Sequence, residues 1–140
     1  MCNLFGSNED SQQTELARGH QFAGEVALTN GDAAQATYHL TRGLRLATSY
    51  HDQMSIVWCL ATMAGVAVRD EEPERGARLW GASEAIREKI HCRIGPASRR
   101  NRERTVTLLR QHLGEAEFVR LVTEGATLTL EQAVDAALQA

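Results

Sequence analysis

The sequence predicts an all-α protein, and three observations carry that prediction. Alanine, leucine, arginine, glutamate and glutamine dominate; only two prolines interrupt 140 residues; and strand-like alternation of apolar and polar residues is hard to find. That length fits one domain with a real core but falls short of two independent ones. The spacing predicts seven helices over about 10–29, 32–50, 52–69, 73–90, 96–113, 115–124 and 130–139, within a single helical domain spanning 11–140. Residues 1–10 read as a flexible tail.

Each boundary has a physical cause. In "TNGD" (29–32), Asn30 and Gly31 supply the left-handed residue that stops the first helix, and Asp32 caps the second. The second helix carries a one-sided stripe of Ala36, Leu40, Gly43, Leu44 and Ala47. The third contains the apolar run "MSIVWCLATMAGVAV" (54–68), fifteen residues against the roughly 20 that a membrane span needs, so it reads as a buried helix. Its polar residues Ser55, Thr62 and Arg69 fall seven apart, leaving one thin stripe, and nearly its whole circumference must be covered.

"DEEPERGARLWGASEAIR" (70–87) opens the fourth helix with acids and Pro73, where the missing N–H costs nothing and negative charge meets the positive helix end. Its buried face reads as Leu79, Trp80, Ser83, Ile86 and Ile90. "RIGPAS" (93–98) starts the fifth helix at Gly95 and Pro96. "TLTLEQ" (127–132) gives the last helix a capping box of Thr129 and Gln132.

Composition narrows the function. A formal charge of −3 argues against a general nucleic-acid binder, which needs a basic surface to neutralise phosphates. Cys2, Cys59 and Cys92 are odd in number and form no CxxC pair, so a reducing cytoplasm is the simplest compartment. "MCNLF" lacks the basic region of a signal peptide, and no membrane partner is expected.

Setting residues 31–47 beside 71–87 pairs Ala36 with Gly76, Leu40 with Trp80, Gly43 with Ser83 and Leu46 with Ile86. Small meets small and large meets large at an offset of 40, the logic of a helix-turn-helix repeat with hairpins over 11–50 and 52–90 and capping helices over 96–140. With Ala23, Gly24 and Ala27 before the turn and Ala36, Leu40, Gly43 and Leu44 after it, the first copy resembles a tetratricopeptide repeat. The offset exceeds that family's 34-residue unit. His20 stands nearest the place where its early aromatic belongs.

Read in order, "PERGARLWGASEAIRE", "GPASRRNRERTVTLLRQHLGEAEF" and "EGATLTLEQAVDAAL" resemble the C-terminal helical-repeat region of large bacterial LuxR-type transcriptional regulators and related signalling ATPases. Arg102 departs from a frequent tyrosine there, and Trp80 from leucine. The resemblance implies a short tetratricopeptide-like right-handed solenoid working in transcriptional regulation or signal transduction. These residues hold neither a phosphate loop nor a DNA-reading helix-turn-helix, so the expectation is a non-enzymatic module that binds protein or peptide, with a second copy of the chain as one candidate partner.

Candidate sites follow. Gln21, Glu25, Ser55, Thr62 and Arg69 are the wetter positions of the first and third helices, where a solenoid lines its concave face; a packed polar stripe is the alternative. Arg99, Arg100, Arg102 and Arg104 in "RRNRER" are the candidate charged contact. Eight basic residues against two glutamates over 87–110 face five acids and one arginine over 115–135, so a solvated helix paired with the acidic segment after it is the competing reading. Glu88 and His91 share a three-residue spacing, but a di-iron bundle needs a second Glu-x-x-His, and no catalytic residue, metal ligand or cofactor-binding residue is assigned. The rival class is a small-ligand- or metal-binding helical bundle, which needs an enclosed pocket with convergent polar groups.

Overall fold

The structure, a computed structural model, describes residues 4–139, with side chains from residue 9 onward. Its described residues form seven helices: α1 (Leu4–Thr29), α2 (Ala33–Ser49), α3 (Gln53–Arg69), α4 (Pro73–Lys89), α5 (Pro96–Leu113), α6 (Glu115–Ala126) and α7 (Leu130–Leu138). α1 begins at Leu4 rather than near residue 10, so the expected tail is helical from that point; residues 1–3 lie outside the described residues. None of the helices is long and apolar enough to cross a membrane.

One turn, used four times, organises the chain. Gly31, His51, Glu71 and His91 each adopt a left-handed backbone (φ 78°, 55°, 61° and 53°), at intervals of 20 residues. The amide that follows each one, at Asp32, Asp52, Glu72 and Cys92, donates back to the carbonyl of Ala27, Ala47, Ala67 or Arg87 at 2.8–3.1 Å. This satisfies carbonyls that a helix end otherwise leaves orphaned. Asp32 and Asp52 then cap the next helix, accepting from the amides of Gln35 and Ser55 at 3.1 and 3.3 Å. The 40-residue repeat is therefore two steps of a 20-residue helix-and-turn unit. Only the first copy has glycine at the left-handed position, which hides the shorter period from a search for glycine.

α1 pairs with α2 and α3 with α4 as hairpins, α2 packs on α3, and α1 also touches α3. The expected stripe of α2, Ala36, Leu40, Gly43, Leu44 and Ala47, is buried throughout. α3 buries residues around most of its circumference, including Ile56, Val57, Leu60 and Ala64. Gly76 earns its place by approach: a Cβ there would sit 3.0 Å from the Ala64 carbonyl and 3.1 Å from Leu109. Trp80 is buried where the earlier copy buries Leu40.

The C-terminal third departs from the repeat. α5 takes a place beside α3, but α6 packs chiefly on α4 instead of completing a third hairpin with α5. The α4–α6 contact is backbone on backbone. A Cβ on Gly81 would fall 2.0 Å from the carbonyl of Val122, and one on Gly125 would fall 2.0 Å from the carbonyl of Arg78. Each glycine thus lies over the carbonyl three residues before the other, an approach that only a missing side chain permits. α7 reaches from α4 across to α3 and α2. Its capping box of Thr129 and Gln132 forms, and Arg75 from the first turn of α4 donates to the carbonyls of Ala137 and Gln139 at 2.8 and 3.0 Å.

Candidate functional site

An open groove of about 870 Å³ lies between the C-terminal half of α4, the 90–95 connection and α5. At its base the guanidinium of Arg102 lies 4.6 Å over the ring of buried Trp80. Arg102 also donates to Glu84, and the same carboxylate receives Arg87 Nη2 at 2.8 Å and Arg87 Nε at 3.1 Å. Arg87 in turn donates to the Cys92 carbonyl at 3.2 Å, tying α4 to the connection that follows it.

Glu84 is the hinge of this network. Burial alone would push its carboxyl up, yet the hydrogen bond from Arg87 and the charge of Arg102 together outweigh burial and hold it below the usual carboxylate range. Its grip raises Arg87, whereas burial lowers Arg102 despite the same partner. An aromatic face and one carboxylate therefore hold Arg102 from two sides, with its side chain only 12% exposed. The acidic α6–α7 segment was the expected partner of these arginines. Arg102 turns instead to α4, while Arg110 meets Glu115 at 2.9 Å.

Helical spacing separates the four arginines as their sequence order suggests. Arg99 and Arg102 line the groove; Arg100 and Arg104 do not line it and are exposed. Arg93, outside the expected set, joins them from the connection. Arg93 and Arg99 have no ion-pair partner within 4.0 Å among the described residues, so the groove carries two uncommitted guanidiniums. Ile94 and Val106 give it apolar lining. Glu84 and Arg87 were not singled out by sequence reasoning; their three-residue spacing looks like any surface helix pair until α5 is folded against them.

Of the five residues expected along a concave face, Gln21 and Ser55 are buried, whereas Glu25, Thr62 and Arg69 are half-buried. Ser55 Oγ donates to Asp52 at 2.7 Å as part of a helix cap, Thr62 Oγ1 donates to the Trp58 carbonyl at 2.9 Å, and Arg69 donates to the Leu28 carbonyl. Glu25 accepts from Asn101 of α5 at 3.2 Å, and Gln21 is buried. None lines the α4–α5 groove. Among the described residues every buried side-chain nitrogen and oxygen has a partner.

His91 lies beyond the end of α4 in a left-handed turn, so it does not share a helix face with Glu88. Among the described residues no three His, Cys, Asp or Glu side chains converge. Burial pushes the Cys59 thiol up to about 12, which suits a core residue and not a nucleophile.

A second surface lies at the other end. Leu16, Phe22 and Val26 on α1 are 48%, 66% and 43% exposed. Forty residues on, Leu16 and Val26 correspond to Ile56 and Val66 of α3, which are 1% and 7% exposed, and Phe22 corresponds to half-buried Thr62; Val66 shares a cleft with Thr37 and Leu40 of α2 and Ala137 and Leu138 of α7. The positions that α3 buries at Ile56 and Val66 are thus positions that α1 turns to solvent. No family model, no curated protein and no solved structure matches this chain, so its functional reading rests on these two surfaces and on its own residues.

Proposed function

We propose that this chain is a non-enzymatic, tetratricopeptide-like interaction module that docks a helix of a partner protein on the outer face of α1. The observation that carries the reading is the exposed apolar trio of Leu16, Phe22 and Val26; the counterparts of Leu16 and Val26 on α3, Ile56 and Val66, are buried. Exposed apolar side chains at helical spacing on an end unit fit a partner helix better than water. A right-handed solenoid and a role as the sensing or assembly segment of a bacterial transcriptional or signalling regulator are supported by the sequence resemblance, a cytoplasmic setting by the unpaired cysteines, and all belong to this proposal.

A second copy of the chain is the partner tested first. Because α6 covers α4 at the far end, copies lack an open pair of ends for head-to-tail stacking. Association through α1 is then isologous and stops at two. Light scattering at high micromolar concentration should report a dimer, and Phe22→Glu should return a monomer whose melting temperature is unchanged. A wild-type chain that stays monomeric under those conditions sinks the self-association.

A further inference from the structure

We infer that the α4–α5 groove binds an acidic peptide segment in extended form, a function separate from helix docking on α1. Charge complementarity selects the ligand. Five arginines against two glutamates line the groove of a chain whose net charge is −3, making it a basic channel on an acidic molecule. Arg87 and Arg102 are engaged by Glu84, and their role is to hold a rigid wall. Arg93 and Arg99 remain to clamp ligand carboxylates.

The local sequence supports the same reading. α4, α6 and α7 each carry a glutamate in the first turn, and α2 and α3, which do not, are capped by Asp32 and Asp52, so each places an acid at the positive helix end. α5 has no acid there and no side-chain cap from Gly95, and it places Arg99 at that end. Arg99 is unfavourable for folding in that position, and a bound anion relieves it. Residues that break a local rule without a structural gain mark functional positions.

Size and polarity set the ligand class. From Arg99 to Arg110 the helix rises roughly 16 Å, which matches about five residues of extended peptide. Ile94 and Val106 would remain wet under a small inorganic anion, whereas a peptide with an apolar residue between acids covers them.

Fluorescence anisotropy with a labelled Glu-Glu-Leu-Glu-Glu peptide tests the assignment. Binding should saturate, and Arg93→Glu with Arg99→Glu should weaken it about tenfold or more. Arg100→Glu with Arg104→Glu makes the same charge change off the groove and should stay within about twofold at physiological salt. The Phe22→Glu chain should bind the peptide as the wild type does, so failure of helix docking leaves this result standing. Equal loss in both double variants, no saturation, or tighter binding of a single-stranded oligonucleotide of equal charge would each overturn the proposal.

Discussion

The two ends of the molecule meet solvent in opposite ways. At one end α1 presents Phe22 at 66% exposure and Val26 at 43%. At the other, α4 is closed by α6 so tightly that two glycines lie on two carbonyls. The same kind of helix is therefore left open in one place and sealed in the other. The difference lies in which side chains are missing: large apolar groups invite a partner, and absent ones admit a backbone.

The largest effect should come from breaking the sealed end. Gly81→Ala or Gly125→Ala forces a methyl against a backbone carbonyl that cannot rotate away, at a cost of about 3 kcal/mol. Urea unfolding should read this as a lower midpoint, whereas Gly19→Ala on α1, where a Cβ would meet nothing within 4 Å, should leave the midpoint in place or raise it. Equal effects at Gly19 and Gly81 would erase the contrast between the ends.

Glu84→Gln tests the groove beside that sealed end. It leaves Arg102 half-compensated beneath Trp80 and should cost roughly 2 kcal/mol. Because the folded carboxyl titrates below its ordinary value, its contribution is present above the usual glutamate range and is lost as pH falls through the lowered value. The variant should therefore show less acid sensitivity than the wild type below about pH 4.

Smaller effects sharpen the repeat that joins the ends. His51→Gly and Glu71→Gly should each stabilise by about 1 kcal/mol, because left-handed backbone strains any residue with a Cβ. Gly31→Ala should destabilise by a similar amount. Thermal melts of the three variants would check whether the turns are energetically equivalent.

The smallest expected effect is a pH response of the open end. His20 on α1 and His39 on α2 approach with Nδ1 atoms 3.0 Å apart. Burial first, then the charges of His39 and Arg42, lower the His20 pKa. The unfolded chain therefore takes up its proton first, and stability is full above the ordinary imidazole range and declines as pH falls through it. His20→Gln should flatten the melting temperature between about pH 7 and pH 5.5.

Much of the fold is legible along the chain because helix ends and helix faces are local properties. Asp32, Pro73, Pro96 and the Thr129–Gln132 box mark boundaries through bonds that close within one turn. The stripe of α2 and the pairing of Leu40 with Trp80 follow from periodicity alone. The 20-residue turn was harder to read, since His51, Glu71 and His91 stand where glycine is the usual signal. Splitting Arg99 and Arg102 from Arg100 and Arg104 needs only 3.6 residues per turn.

What the chain determined by itself is thus a set of capped helices with known inner faces. The tertiary structure alone decided that α6 lies on α4, because Gly81 and Gly125 have no side chains through which sequence could announce their contact. It alone decided that Glu84 binds Arg102, since a carboxylate and a guanidinium 18 residues apart choose each other only after two helices have met. Both depend on long-range approach, where the energy resides in pairs and not in residues.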